Sequence, residues 1–482
     1  MAEAKEGRMR NLHVDGGRLW ASLMAMAEIG ALPGGGCRRL ALTDEDRAGR
    51  DLFVRWAEAA GCTVTVDRMG NIFARRAGRD DSLPPVVTGS HLDTQPHGGR
   101  FDGVYGVLAG LEVVRCLNDR GIETEAPIEV SVWTNEEGTR FPRSMVASGV
   151  FGGKYDLEAA LAITDAEGRS LGAELARIGY AGEAPCGGRP FAAFFEAHIE
   201  QGPVLEAEGR IIGIVTGAQG QRWYDAVLTG QDSHAGTTPM PMRRDAVFGM
   251  ARLISAVEAL VAEHAPQAVG TVGEIRVVPN SRNTVPGRVE FSIDLRHPDP
   301  AALDRMHGEL HRRLPQIATA AGLELDLRDV VQVPQIRFDP DCIAAVRDAA
   351  AALGLPAREM LSGAGHDAMY ISRVAPAAMI FVPCAGASVA YAITRKWWLN
   401  NLLGAAFSVL RLPRLQVVSW LLHLLYRPLI RPRDGRGRGS CASCPQGRYA
   451  VAVHARRGDK LTEARRLAGR RRLALRMSRP CS

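Results

Sequence analysis

No part of this chain is apolar for long enough to cross a bilayer as a helix. The most apolar region, 397–426, is broken by Arg411 and Arg414, which leaves uncharged runs of 14 and 12 residues, whereas a span needs ~20. The N-terminal stretch MAEAKEGRMRNLHVDGGRL lacks a continuous apolar core, so no secretory signal is predicted. Also missing is a disulfide framework. The nine cysteines stand at 37, 62, 116, 186, 342, 384, 441, 444 and 481, a scatter that fits buried thiols in a reducing compartment and predicts a cytoplasmic protein. Nor does the net charge of +6 argue for a nucleic-acid partner. Residues 388–482 hold 20 Lys and Arg against Asp434, Asp459 and Glu463, a balance of +17, so residues 1–387 carry −11. The basic character is confined to that tail, which has neither interleaved aromatics nor a recognition motif. Its CASC at 441–444 is half of a zinc-ribbon spacing with no second half.

What is present is a chain of 482 residues, long enough for two domains and an extra segment. The β-branched runs PPVVTG (84–89) and IEVSVWT (128–134) flank a stretch, 106–118, with helical apolar spacing. That is a β-α-β unit, which implies parallel strands and a ligand site beyond their carboxyl ends. A third strand is predicted at 191–195. Each strand stops where an unusual polar cluster begins: SHLDTQPHGGRFDG (90–103), NEEGTRF (135–141) and EAHIEQG (196–202).

From about 215 to 331 the order of elements changes. Strands at 224–230, 270–278, 288–295 and 323–331, with helices at 247–264 and 301–321, give the β-α-β-β-α-β order of a ferredoxin-like unit. The α/β pattern then resumes with a helix at 342–353, the string MLSGAGHDA (360–368) and a buried strand at 377–383. The expected division is therefore a catalytic domain at 1–214, an inserted α+β domain at 215–331, a return to the catalytic domain at 332–387, and an atypical tail at 388–482.

The strand ends supply His91, Asp93, Asp102, Glu136, Glu137 and His198. Mixed imidazole and carboxylate donors, with one carboxylate free to bridge, are what a pair of borderline divalent cations such as Zn²⁺ requires. Asp93 is placed to accept a hydrogen bond from the His91 imidazole and so orient it. Adjacent carboxylates point different ways, so one of Glu136 and Glu137 can bind metal while the other acts as general base.

Seven strings occur in one order: TGSHLDTQPHGGRFDG, TNEEGTRF, EAHIEQGPVLE, SHAGTTPM (233–240), NSRNTVPG (280–287), DLRHPD (294–299) and SGAGHDA (362–368). In these the chain, from about residue 12 to 383, resembles the N-carbamoyl-L-amino-acid hydrolases and β-ureidopropionases, a group shared with allantoate amidohydrolase in the aminoacylase and carboxypeptidase-like clan. The resemblance implies a zinc-peptidase-like α/β domain with a mixed, largely parallel sheet, plus an inserted ferredoxin-like lid that forms a homodimer. It implies two divalent metal ions per subunit, zinc foremost and Mn, Co or Ni as alternatives. His91, Asp102 and His198 would hold one, Asp102 and Glu137 the other, with Glu136 as general base and His234 as oxyanion donor. Gln201, Asn283, Arg296 and the backbone near Gly363 and Gly365 would hold a small-molecule substrate. His366 and Asp367 are expected to support that pocket and His97 to lie exposed at its mouth, while His264, His297, His307 and His311 are read as ordinary surface or core histidines.

The chain departs from the pattern after Pro383. Relatives carry a further histidine near position 390, where this chain reads CAGASVAYAITRKWW and Ala390 offers no ligand. The basic tail is expected to be the product of a frameshift, with a genuine appended module as the alternative, and the second metal to be held weakly. Allantoate or an N-acyl-amino acid is the alternative substrate, and a non-catalytic protein with a polyanion-binding tail is the alternative of another class.

Overall fold

A computed structural model describes residues 14–384. The frameshift and polyanion expectations, and the missing histidine near 390, lie outside the described residues. No described helix is long and apolar enough to cross a membrane.

The larger sheet begins with strands β1 (Thr63–Val66), β2 (Ile72–Arg76), β3 (Val86–His91), β4 (Ile128–Trp133), β5 (Ala193–Ile199) and β6 (Ile212–Ala218). The chain then builds a smaller sheet from β7 (Gly220–Thr229), β9 (Val269–Thr271), β10 (Ile275–Val278), β12 (Arg288–His297) and β13 (Glu324–Val333). Between them, β8 (Ser233–His234) and β11 (Thr284–Val285) pair as a two-stranded ribbon. The larger sheet is completed by β14 (Ile336–Arg337), β15 (Ala357–Ser362) and β16 (Ala377–Val382), in the order β1-β2-β4-β3-β5-β16-β6-β14 with β15 also on β6.

Its centre, β4-β3-β5-β16, is parallel, and every residue of those four strands is buried. Burial on both faces explains why they read as continuous apolar runs rather than alternating ones. Antiparallel partners, β2 on β4 and β6 on β16, make the whole sheet mixed. Helix α1 (Val104–Asp119) packs against β3, β4 and β5. It does so closely because Gly106 has no Cβ: one would stand 2.3 Å from the Ala197 carbonyl oxygen.

Helices α2 (Ala246–Glu263) and α3 (Pro300–Ala320) cover the smaller sheet. Each starts on an aspartate, Asp245 or Asp299, whose carboxylate accepts from backbone N–H groups of the first turn. The sheet is antiparallel in the order β10-β12-β7-β13, the arrangement expected of a ferredoxin-like unit. Several boundaries differ from the sequence expectation. The strand predicted at 270–278 is two, because β9 pairs with Asp294–Arg296 and β10 with Arg288–Phe291. Meanwhile β3 and β5 run on through the polar residues His91 and His198, which pair with Trp133 and Phe381. Buried backbone must be hydrogen-bonded, and the ladder supplies the bonds even where the side chains are polar.

Candidate metal centre and active site

His91 ends β3 and His198 lies one residue from the end of β5, so both imidazoles leave the sheet on its carboxyl edge. Asp102 arrives from the turn before α1. One ligand atom of each of these three lies within 4.8 Å of the others, and all three residues are buried. His198 Nε2 is 3.2 Å from Asp102 Oδ1, and His91 Nε2 is 4.0 Å from the same oxygen. The far nitrogens are tied to backbone: His91 Nδ1 to the Asp93 carbonyl at 2.8 Å and His198 Nδ1 to the Ile199 carbonyl at 2.9 Å. With Nδ1 donating, the neutral His91 ring presents its Nε2 lone pair toward Asp102, whereas His198 bonds to Asp102 through Nε2–H: burial would lower His198, but that bond and the charges of Asp102 and Glu196 raise it.

That geometry corrects the expected role of Asp93. Its carbonyl, not its carboxylate, orients His91, while the carboxylate accepts from the backbone N–H of Glu136 and Glu137, each at 3.2 Å. Asp93 thus joins the loop after β3 to the loop after β4. Glu136 reaches His91 Nε2 at 3.5 Å. Glu137 instead accepts from the backbone N–H and the side chain of Gln95. Gln201, held with φ at 54°, donates to Asp102 Oδ2 at 2.8 Å. Gly103 is essential to the packing: φ is +65°, and a Cβ there would stand 2.5 Å from three atoms of the His91 ring.

Two buried arginines that the sequence reading missed clamp these loops. Arg39 donates to the Leu92 carbonyl at 2.8 Å, and its backbone N–H to Thr94 Oγ1 at 2.7 Å. Arg50, paired with Asp46 at 2.8 Å, donates to the Gly70 carbonyl and to Thr134 Oγ1. Nothing local in the sequence marks either, since an arginine in a loop, like Arg39, or in a helix, like Arg50, ordinarily reads as solvated surface.

In a second group, which shares His198, one ligand atom of each of Glu196, His198 and His366 lies within 4.8 Å of the others. The His198 and His366 rings lie 4.5 Å apart, and His366 Nε2 is buried without a partner. Glu196 accepts from Ser90 Oγ at 2.7 Å and from the Ala368 N–H at 2.9 Å. Asp367 accepts from Ser148 Oγ at 2.5 Å, leaving Oδ2 unpartnered. His366 therefore belongs with the buried donor set rather than with the outer support expected of it. Its place in SGAGHDA was the available signal, and Glu196 carried one as the first residue of EAHIEQG.

The electrostatics of this donor set favour cations. Burial pushes Glu136 well above the usual carboxylate range, and Asp367, Glu137 and Asp93 push it further. Burial also raises Glu137, with Asp102 and Asp93 adding to it, and it raises Asp93 to about 7. Asp102 is the exception: burial would raise it, but the His198 hydrogen bond and the neighbouring imidazoles hold it below its ordinary value. Burial lowers His91 to about 4 and His366 well below its ordinary value, so both are neutral, the form that ligates metal. Crowded buried acids, neutral imidazoles and an orphaned His366 Nε2 fit divalent cations, whose charge would relieve the repulsion.

The remaining expected residues have other partners. His234, exposed on β8, accepts from the N–H groups of Gly236 and Thr237 at Nδ1, at 3.1 and 3.2 Å. Its proton therefore sits on Nε2. Asn283, also exposed, accepts from Ser281 Oγ at 2.8 Å and from the Ala235 N–H at 2.9 Å, and Thr284 beside it pairs with His234. Arg296, at the end of β12, differs from the expected open fork. Its Nε and Nη2 are taken by the Asp294 carboxylate at 2.6–3.2 Å, and Nη1 donates to the Gly363 carbonyl at 2.6 Å. An unsatisfied guanidinium beside a carboxylate two residues away on the same strand face closes on it. Gly363 is exposed, Gly365 half-buried against Met145, and His97 exposed.

A strand-edge cluster of buried imidazoles and carboxylates on this mixed sheet defines a metal-dependent amidohydrolase. The chain belongs to the peptidase family M20/M25/M40, which it matches over residues 87–406. It is 49% identical over 397 residues to the N-carbamoyl-L-amino-acid amidohydrolase of Rhizobium meliloti, covering 82% of this chain and 95% of that protein. It is 35% identical to the allantoate amidohydrolase of Bacillus subtilis, covering 75% and 88% respectively. Among solved structures it is similar to a hydantoinase/carbamoylase-family amidase from Burkholderia multivorans, at 55% identity and a TM-score of 0.78, covering 86% of this chain and 99% of that one.

Proposed function

We propose that this enzyme hydrolyses the carbamoyl C–N bond of N-carbamoyl-L-amino acids or β-ureido acids. Water adds to the carbamoyl carbon, the bond to the amino-acid nitrogen breaks, and the carbamate released decomposes to CO₂ and ammonia. The observation that carries this reading is the convergence of His91, Asp102 and His198 within 4.8 Å at the strand edge, joined to the 49% identity with a carbamoyl-amino-acid hydrolase.

In this reading His91, Asp102 and His198 would hold one divalent cation, and Asp102 with Glu137 would offer donors to a second, zinc being best suited to the donors. Bound there, the cations would supply Lewis acidity and make a water nucleophilic near neutral pH. Glu136, raised by burial, accepts the proton of the attacking water and returns it to the leaving nitrogen. His234, with its proton on Nε2, donates to the oxyanion as the carbonyl carbon becomes tetrahedral. Asn283 and the backbone near Gly363 and Gly365 receive the substrate carboxylate, and Arg296 turns from Asp294 and Gly363 to join them. Gln201 keeps Asp102 oriented. Dimerisation through the smaller domain is supported by the exposed apolar side chains Trp223, Ile275 and Val330 on its strands.

Allantoate is the second reading, favoured by the 35% identity with an allantoate amidohydrolase. Steady-state assays with N-carbamoyl-L-alanine, 3-ureidopropionate and allantoate, on zinc-loaded protein, separate the two. Turnover of the first or second above allantoate is expected. Allantoate alone being hydrolysed would replace the carbamoyl reading, and no turnover of any of the three would remove both.

A further inference from the structure

The smaller sheet carries a third group of metal-binding side chains, separate from the strand-edge centre. His307 and His311 lie one turn apart on α3, and Asp329 lies on β13 beneath them. One ligand atom of each is within 4.8 Å of the other two. His311 Nε2 is 2.9 Å from Asp329 Oδ1, and the two imidazole rings stand 4.5 Å apart. Histidines at i and i+4 share one helix face and can close on a single ion.

Three further features prepare these side chains for that task. Tyr224, buried on β7, places its hydroxyl 3.0 Å from His307 Nδ1, the kind of outer hydrogen bond that orients a ligating histidine and leaves its other ring nitrogen for an ion. Asp329 sits where the β13–β7 register shifts, a break that re-aims a side chain out of the regular pleat. Water reaches the group, since the side chains of His311 and Asp329 are each 36% exposed. Arg222 places a positive charge nearby, but it is paired with Asp304.

We propose that His307, His311 and Asp329 form a surface site for one divalent transition-metal ion of the zinc, cobalt or nickel kind, completed by water. Two imidazoles and a carboxylate match the preference of such ions over Ca²⁺ and Mg²⁺. Bound there, the ion would tie α3 to β13 and stabilise the smaller domain, because it binds the folded state alone.

The test counts metal rather than activity. The full chain is stripped with chelator, dialysed to equilibrium against Zn²⁺ and analysed for bound zinc, alongside His307→Gln/His311→Gln and Asp102→Asn. The double variant is expected to bind one equivalent fewer than wild type, to keep its circular dichroism and to hydrolyse substrate within twofold of wild type. Asp102→Asn, damaged at the strand-edge centre, is expected to keep that equivalent. Should the double variant lose its fold, Asp329→Asn takes its place and is expected to show the same loss. Equal zinc content in wild type and a folded variant of this group overturns the proposal and leaves a simple His311–Asp329 ion pair.

Discussion

Replacing Gly103 by alanine asks whether the His91 imidazole is held as rigidly as the structure indicates. The backbone there has φ +65° and ψ −47°, outside the left-handed helical basin, and placing a Cβ in so sparsely populated a conformation costs ~1–3 kcal/mol. The new methyl would also stand 2.5 Å from three atoms of the His91 ring. The ring has little room to retreat, because Nδ1 is held by the Asp93 carbonyl at 2.8 Å and Nε2 faces Glu136 at 3.5 Å. Overpacking of this kind costs a further ~1–3 kcal/mol. Gly121 is the matched control, with φ +60° and nothing within 4 Å of its absent Cβ, so Gly121→Ala carries the backbone cost alone. Gly103→Ala should unfold more easily than Gly121→Ala by ~1–3 kcal/mol in denaturant titrations. In Gly103→Ala alone, zinc affinity at the strand-edge centre should fall roughly tenfold to a hundredfold, at ~1.4 kcal/mol per factor of ten. Equal penalties for the two variants, with zinc affinity unchanged, would show that the ring yields freely and that its placement is not set by this turn.

Three other outcomes are expected. Burial raises Asp67 to about 6, against hydrogen bonds from Asn71 and Met69 that oppose the shift; a carboxyl raised in the folded state stabilises most below pH ~4 and loses that contribution as pH rises through 6, an effect of up to ~3 kcal/mol. Asp67→Asn should flatten this part of the stability–pH curve, and an unchanged slope would assign it elsewhere. His234→Gln should lower kcat by roughly a hundredfold with KM little altered and leave the melting temperature in place, since the exposed His234 side chain bonds, among the described residues, to the turn that follows it; a KM effect alone would make it a binding residue. On the proposed ligand sets, stripped protein titrated with Zn²⁺ should fill the three-donor set His91, Asp102 and His198 before the two-donor set Asp102 and Glu137; two equally tight ions at the strand edge would mean that another side chain completes the second.

The strand-edge site was legible because its parts are local. A β-branched run followed at once by a polar, glycine-rich cluster marks a strand end wherever it occurs, and three such ends in a β-α-β context place His91, Asp102 and His198 on one edge. The four strands of the ferredoxin-like unit were legible for the same reason, except at 272–274, where the change of pairing partner along β12 has no sequence mark. Orientation was beyond the reach of the sequence. That the Asp93 carboxylate turns to the loop of Glu136 and Glu137, 43 and 44 residues away, leaves its carbonyl for His91, two residues away.

Residue identity and spacing, then, determined which side chains could ligate metal and on which elements they lie, because periodicity and turn chemistry act over a few residues. Only the tertiary structure decided which of them meet. It drew His366 and Glu196 into the buried set, laid Arg296 against the Gly363 carbonyl, locked the loops with Arg39 and Arg50, and set His311 against Asp329. Each of those outcomes depends on packing and desolvation between segments distant in the chain, and such energies exist only once the chain has folded.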